Sequence, residues 1–304
     1  MQNQTEQRLQ RFRGADRWPT EESLAAMLEN QTSALFAVRA ALPAIAKAAQ
    51  AIAALLAQGD GRLIYAGAGA SIRLAVQDGV ELYPTFSWPL ARVEYVIAGG
   101  SGALTQSVEG AEDQAAEARA EISRLGVGSA DIVVAVAASG ATPFTVAAAQ
   151  ASRATGALTI GMANNPNSPL LAACGIAIEL PTGPEFLAGS TRMTAGTAQK
   201  IALNLLSTQT MIELGRVHDG WMIDVVPAND KLVRRSKRII QELVPQLDDK
   251  AVTRLWEQSG GQIKLAVLMA EGAELAEATA LLQQHSGKLG LARAALQDKD
   301  GGGN

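Results

Sequence analysis

The chain has 304 residues, 48% of them hydrophobic and 18% charged, which is enough for one large α/β domain with a smaller helical part. Its net charge of -4 and its 4% of aromatic residues disfavour nucleic-acid binding, which needs a basic surface with stacking side chains. A single cysteine, Cys174, excludes an internal disulfide, and two distant histidines provide neither a zinc-ligand set nor a catalytic triad, so carboxylates must carry any acid–base chemistry.

The first part of the chain is predicted to be a helical segment of a cytoplasmic protein. Residues 1–14 are polar and contain three arginines, unlike a secretory signal. Apolar residues at helical spacing predict a helix over 21–58, in which Pro43 starts a new helix or introduces a kink. The uncharged run 154–178 is long enough to cross a membrane, but the turn formers at 164–169 within it argue against a membrane span.

The middle of the chain alternates short β-branched runs with helical stretches. The runs lie at 63–65, 93–97, 131–136, 158–160 and 176–178. Strands that alternate with helices form a parallel sheet covered on both faces. We therefore predict an α/β fold of the flavodoxin-like type, with a five-stranded parallel sheet flanked by helices. In such sheets ligands bind beyond the carboxyl ends of the strands, near the point where the winding direction reverses.

The last part of the chain is predicted to be a small helical domain. A helix with a solvated basic face follows Asn229, and residues 248–297 are typical of three short helices divided by Gly-rich breaks. The predicted domains are an N-terminal helical segment over 1–58, a sheet domain over 59–228 and a helical domain over 229–304. The glycine-rich end, 301–304, is predicted to be a frayed tail.

Three loops rich in glycine and hydroxyl side chains are predicted to bind a phosphate monoester. They contain Gly69, Ala70 and Ser71 after the first strand, Ser139, Gly140 and Thr142 after the third, and Ser190 and Thr191 before a helix that carries Lys200. Backbone N–H groups and hydroxyls in such turns bind anions. A dinucleotide site is disfavoured because Ile72 stands where a third glycine is required, and no nucleotide-binding Walker pattern is present.

Two carboxylates are candidates for acid–base chemistry. Glu81 follows the helix after the first glycine loop and has apolar neighbours in the sequence. Glu112 is predicted at the margin of the apolar face of a helix over about 105–125, where it would point toward protein and be partly desolvated. A buried structural glutamate paired with an arginine explains Glu112 equally well. Asp78 and Glu185 are further candidates of lower weight.

Four segments of the sequence resemble the N-acetylmuramic acid 6-phosphate etherase family, whose fold is a sugar isomerase (SIS) domain. They are residues 61–71, 108–113, 138–143 and, most specifically, 189–200. The resemblance implies cleavage of the ether between carbon 3 of N-acetylglucosamine 6-phosphate and D-lactate, by elimination and then hydration, during reuse of cell-wall sugars. It also implies two acid–base glutamates, which fall on Glu81 and Glu112, and a homodimer with no metal or organic cofactor.

The sequence departs from the family pattern around the implied site. Ala70 and Ile72 replace a hydroxyl residue and a glycine in the first loop, and Ala141 and Thr194 replace an arginine and a lysine. Two other functions therefore stay open. One is a non-catalytic sugar-phosphate sensor that resembles glucokinase regulatory proteins, and the other is an aldose–ketose isomerase acting on a sugar 6-phosphate.

Overall fold

The computed structural model describes residues 4–301, so part of the predicted tail lies outside the described residues. The chain forms two compact units. One contains the residues up to Gly79 together with Ala91–Ser207, and the other contains Val80–Leu90 and the chain from Thr208 onward. These units group the residues differently from the three predicted domains, which stay a prediction about how the sequence is organised.

The five predicted strands are confirmed, and all of them pair in parallel. The strands are β1 (Leu63–Gly67), β2 (Val93–Ile97), β3 (Ile132–Ala137), β4 (Leu158–Ala163) and β5 (Ile176–Glu179). Their order across the sheet is β2-β1-β3-β4-β5, so the winding direction reverses between β1 and β3, where Gly67 lies opposite Val136. Every residue of β3 is buried, as expected for a central strand covered on both faces.

Twelve α-helices, and a hairpin of two short strands, complete the described part of the chain. The helices are α1 (Thr20–Leu56), α2 (Gly69–Val80), α3 (Leu82–Phe86), α4 (Ala115–Arg124), α5 (Pro143–Ala154), α6 (Pro169–Ala173), α7 (Thr194–Glu213), α8 (Asp230–Leu243), α9 (Asp249–Gln258), α10 (Ile263–Ala270), α11 (Leu275–Gln284) and α12 (Leu289–Gly301). The hairpin pairs β6 (Val217–His218) with β7 (Trp221–Met222).

Helices cover both faces of the sheet in the first unit. On one face, α4, α5 and α6 bury Ile64, Val133 and Phe144 in a common apolar cluster. On the other face, α2 and α7 pack behind β1, and α1 packs against β5. Transfer of this apolar surface out of water is the main favourable term in the folding of the sheet domain.

The first long helix departs from one expectation. It runs from Thr20 to Leu56 as one helix with Pro43 inside it, so the alternative that Pro43 starts a new helix is wrong. By length and composition α1 could cross a membrane, but a buried core helix and a signal sequence meet the same test. One side of α1, which includes Ala34, Ala48 and Ile52, is buried in the first unit.

The predicted helix over 105–125 is mostly wrong. Only α4, from Ala115 to Arg124, is α-helical, and the preceding residues form short 3-10 turns at Ser101–Leu104 and Ala111–Asp113. Gly110 has a φ of 72°, a left-handed conformation that interrupts an α-helix. The acidic spacing of this stretch resembles a helix face, but the glycine between Glu109 and Ala111 breaks it.

The second unit contains its own apolar core, built from α8 to α12 and the residues that precede them. Its buried side chains include Ile239, Leu255, Trp256 and Leu281. Residues 248–297 contain four helices rather than the three predicted, divided at the expected glycine breaks. The three breaks divide the segment into four helices, so the predicted number of helices is wrong and the predicted positions of the breaks are confirmed.

Candidate active site

The first glycine loop and the Ser139 loop lie side by side at the carboxyl edge of the sheet. They follow β1 and β3, the adjacent strands between which the winding direction reverses. Each loop leads into the N-terminus of a helix, α2 at Gly69 and α5 at Pro143. Helix N-termini carry free backbone N–H groups and a partial positive charge, so this edge favours an anionic group.

The carboxylate of Glu112 lies against the first glycine loop. A Cβ atom added to Gly69 would lie 2.8 Å from Glu112 Oε1, so the carboxylate lies close to the loop backbone and would have to shift for a larger residue. Gly69 also has a φ of 56°, which glycine adopts without strain. The structure therefore places a candidate acid–base group at the N-terminus of α2, although Glu112 is 43 positions after Gly69 in the sequence.

The predicted environment of Glu112 is wrong in one respect. Glu112 lies on the 3-10 turn Ala111–Asp113 and is exposed, whereas its neighbour Ala111 is the residue buried against protein. The helix margin on which its burial was predicted does not exist here. Its position beside Gly69 comes from the turn and not from an amphipathic helix.

The second loop has the geometry of a tight hydroxyl-bearing turn. The N–H of Ala141 donates to Ser139 Oγ over 3.1 Å, and the hydroxyls of Ser139 and Thr142 lie 3.3 Å apart. Gly140 has a φ of 65°, and a Cβ on it would lie 2.1 Å from the buried Ser168 Oγ. The side chains of Ser139 and Thr142 are partly exposed, so their hydroxyls are accessible beside the N-terminus of α5.

The third loop is joined to the same edge through residues 4–6. The N–H of Gly189 donates to the carbonyl of Thr5 over 2.9 Å, and Asn165, which follows β4, donates from Nδ2 to Thr5 Oγ1 over 3.3 Å. A Cβ on Gly189 would lie 2.9 Å from Glu6 Oε2. The sequence by itself predicts no role for Thr5 or Glu6. In the sequence they are an ordinary polar pair, and the full burial of Thr5 is evident from the structure alone.

Glu185, a candidate of low weight, has a structural role at this loop. Its buried carboxylate accepts hydrogen bonds from the N–H groups of Thr194 (2.8 Å) and Ala195 (2.9 Å), the first two residues of α7. A carboxylate at a helix N-terminus stabilises the helix dipole and satisfies its free donors. Two N–H donors of α7 are therefore already occupied, and the partly buried side chains of Ser190 and Thr191 are the groups that this loop offers to a ligand.

Asp78, the other low-weight candidate, is a buried hydrogen-bond acceptor between β1, α2 and α7. It accepts from the Tyr65 hydroxyl over 2.9 Å, from Asn204 Nδ2 over 2.7 Å and from Ser207 Oγ over 3.0 Å. Burial first, and then the nearby Asp78 charge, raise the pKa of Tyr65 well above its usual value and that of Tyr95 to about 12. This network fixes the last turn of α2.

Glu81 belongs to the second unit and lies directly before α3. Its carbonyl accepts a hydrogen bond from the N–H of Thr85 over 3.2 Å, and its side chain is exposed. The first unit includes the chain up to Gly79, and Glu81 is the second residue of the segment Val80–Leu90, which belongs to the second unit. The exposure of Glu81 leaves its carboxylate accessible.

The etherase resemblance is tested by comparison with known proteins. The chain is 48% identical over 246 residues to the N-acetylmuramic acid 6-phosphate etherase of Deinococcus radiodurans, which covers 81% of this chain and 80% of that protein. It is 44% identical over 292 residues to the etherase of the same name from a Synechococcus species, covering 96% of this chain and 92% of that protein. The chain belongs to the N-acetylmuramic acid 6-phosphate etherase family.

Other comparisons confirm the SIS fold of this etherase-family chain. A model of the glucokinase regulatory protein N-terminal SIS domain matches residues 44–153, and a model of the SIS domain matches residues 106–209. A phosphoheptose isomerase from Francisella tularensis has a similar fold, with a TM-score of 0.50 and 18% identity over 64% of this chain and 98% of that one. At this identity the similarity shows the fold alone.

The remaining site candidates of this etherase-family protein lie on α2 and α7. Ala70 and Ser71 are in the first turn of α2, where Ala70 is half-buried and Ser71 is buried. Lys200 is exposed, two turns into α7. A Cβ on Gly196 would lie 3.5 Å from Leu74 Cδ1, so the first turn of α7 lies beside the second turn of α2. Within residues 4–301, no group of three His, Cys, Asp or Glu residues is placed to hold a metal ion.

Proposed function

We propose that this protein cleaves the D-lactyl ether of N-acetylmuramic acid 6-phosphate and releases N-acetylglucosamine 6-phosphate and D-lactate. The observation that carries the proposal is the 44% to 48% identity to etherases over most of the chain. The position of Glu112 beside the first anion-binding loop supports it, because the reaction needs an acid–base group next to a bound sugar phosphate.

In the proposed reaction, the hydroxyls of Ser139, Thr142, Ser190 and Thr191 and the N–H groups near Gly69 bind the phosphate. One glutamate removes the proton from carbon 2 of the ring-opened sugar, which the neighbouring aldehyde makes acidic. Lactate leaves carbon 3 as its oxygen takes a proton. Water then adds to carbon 3 of the unsaturated aldehyde. Glu112 and the exposed Glu81 are the two proposed acid–base groups.

We also propose that the protein is a cytoplasmic homodimer. An apolar stripe on α1 supports the association of two copies. Leu24, Leu28, Leu35 and Leu42 lie within about 40° of one another around the helix axis, and all four are exposed. Burial of such a stripe against a second chain removes apolar surface from water. The proposed cytoplasmic location agrees with the compartment in which a 6-phosphorylated sugar is retained.

The test of the proposed reaction is release of D-lactate from N-acetylmuramic acid 6-phosphate by the purified protein. Stoichiometric D-lactate and N-acetylglucosamine 6-phosphate support the etherase. The match to a glucokinase regulatory protein domain makes a sensor the second candidate. A sensor releases no lactate, but its melting temperature rises in the presence of the sugar phosphate. Interconversion of hexose 6-phosphates without lactate identifies an isomerase.

The glutamates are tested by Glu112→Gln and Glu81→Gln. Each replacement keeps the size of the side chain and removes its acid–base function, so we expect turnover to fall at least about a hundredfold with folding and substrate binding retained. Glu109→Gln is the matched control, since Glu109 is also exposed and lies on the same segment as Glu112. Near-normal turnover in either of the first two variants contradicts the role of that glutamate.

A further inference from the structure

The segment that carries Glu81 is a short helical insertion in the second unit. Helix α3, from Leu82 to Phe86, begins directly after Glu81, and its last turn ends at Ser87, whose N–H donates to the Tyr83 carbonyl over 2.8 Å. A five-residue helix has little stability of its own in water. The position of Glu81 therefore depends on what holds α3 in place.

Three hydrogen bonds connect this segment to residues more than 120 positions later in the chain. The Ser87 hydroxyl donates to the backbone carbonyl of Asp224, Arg216 Nη1 donates to the carbonyl of Phe86 over 3.1 Å, and the N–H of Val226 donates to the carbonyl of Pro84 over 3.4 Å. The bonds at Phe86 and Ser87 lie at the C-terminal end of α3, where the carbonyls of a helix lack partners within the helix.

Arg216 makes a second contact with the same segment. Its guanidinium lies 5.7 Å from the ring centre of Trp88, which is 1% exposed. A planar cation over an aromatic ring gains a favourable cation–π energy while its N–H groups stay free to donate to oxygen. Ser87, between the two contacted residues, has a φ of 51°, a strained value for serine that its surroundings must hold.

Arg216 forms an ion cluster with Asp224 and Lys264. Asp224 Oδ2 lies 3.4 Å from Arg216 Nη1 and 2.6 Å from Lys264 Nζ, so one carboxylate pairs with two cations. Lys264 is 8% exposed, and burial first, opposed by the Asp224 charge, lowers its pKa. Loss of Asp224 would leave the buried Lys264 and the partly buried Arg216 without their shared carboxylate, so Asp224 is the member that holds Arg216 in place.

We propose that Arg216 is a positioning residue that sets the location of Glu81, with Asp224 and Lys264 holding Arg216 in place. These three residues of the second unit thereby affect turnover without touching substrate themselves. The inference rests on the proposed acid–base role of Glu81. It follows from the geometry because α3 directly follows Glu81 and is held at its far end by Arg216, and because a displacement of about 1 Å in a catalytic group can lower a rate a hundredfold.

The test compares Arg216→Met with Arg238→Met in the full-length protein. Both changes remove a guanidinium near a tryptophan in the second unit. Arg238 lies 6.0 Å from the Trp221 ring and pairs with Glu242, but the structure gives it no bond to the segment of Glu81. We expect Arg216→Met to lower kcat at least tenfold with KM changed less than twofold, and Arg238→Met to leave both near normal. An equal loss in the two variants overturns the proposal.

A double variant distinguishes positioning of Glu81 from general damage to the fold. In the Glu81→Gln background there is no carboxylate left to position, so Arg216→Met should cause no further loss of kcat. A second tenfold loss in that background overturns the proposal. Normal turnover in Glu81→Gln alone contradicts the proposed acid–base role of Glu81. This single variant therefore tests the role of Glu81 separately from the role of Arg216.

A milder variant covers the case in which Arg216→Met does not fold. Ser87→Ala removes one hydrogen bond to the Asp224 carbonyl and leaves the ion cluster intact. We expect a severalfold lower kcat, an unchanged KM and a soluble protein with a cooperative melt. Arg216→Lys should recover little of the activity, since an ammonium cannot contact Phe86, Trp88 and Asp224 together. Normal kcat in Ser87→Ala, or full recovery in Arg216→Lys, contradicts the proposal.

Discussion

Gly69→Ala tests directly whether the Glu112 carboxylate belongs to the catalytic site. The new Cβ would lie 2.8 Å from Glu112 Oε1, and ordinary contact begins at 3.4 Å, so the carboxylate must retreat by about 0.6 Å. A displacement of that size in an acid–base group lowers a rate by about ten- to a hundredfold. Alanine at a φ of 56° also costs about 1 to 2 kcal/mol of stability, whatever its neighbours.

Gly126→Ala separates the two effects. Gly126 has a φ of 59° and no atom within 4 Å of an added Cβ, so it has the same backbone cost without a displaced carboxylate. The assay is steady-state release of D-lactate, with the melting temperature of each variant measured beside it.

We expect similar losses of melting temperature in the two variants and a loss of kcat in Gly69→Ala alone. In the Glu112→Gln background, Gly69→Ala should lower kcat no further. Equal kcat in Gly69→Ala and Gly126→Ala refutes the placement of Glu112 in the site. A further loss in the double variant shows that the new methyl group obstructs the substrate itself.

Two other predictions concern phosphate binding and the pH dependence of stability. Ser139→Ala should weaken the binding of a sugar 6-phosphate by about 1 to 3 kcal/mol, measured calorimetrically. The control is Ser152→Ala, which removes a hydroxyl bonded within α5 and should leave the affinity unchanged. Equal affinities of the two variants contradict a ligand role for Ser139. Burial opposes the charge of Asp131, but hydrogen bonds from Arg62 and from the Gly128 N–H outweigh it and lower the pKa of this carboxyl. A carboxyl whose pKa is lower in the folded than in the unfolded chain stabilises the fold at pH values above its unfolded pKa, and this stabilisation is lost as the pH falls. Asp131→Asn should therefore reduce the free energy of unfolding by about 2 kcal/mol at pH 7, and by progressively less from about pH 4 downward. A difference that is constant down to pH 3 contradicts this explanation.

Local patterns in the sequence predict much of the fold and part of the site. Apolar and β-branched runs mark all five strands, and β3 is apolar throughout because a strand buried on both faces leaves no room for charge. Glycines at 69 and 140 mark turns that need a positive φ, and the residues 189–200 identify the family before any coordinate is known. These features depend only on residues that are neighbours in the sequence, so they can be predicted from the sequence.

Tertiary structure alone decides the environment of the carboxylates. Periodicity predicted a helix at Glu112, but a turn after Gly110 brings that side chain to Gly69 instead. Glu185 and Asp78 appear in the sequence as candidates for chemistry, and only their hydrogen-bond partners show that each supports a helix. Those partners come from separate elements. A sequence pattern predicts which side of a helix or strand is buried. The atoms that this buried side contacts depend on how elements distant along the chain pack together.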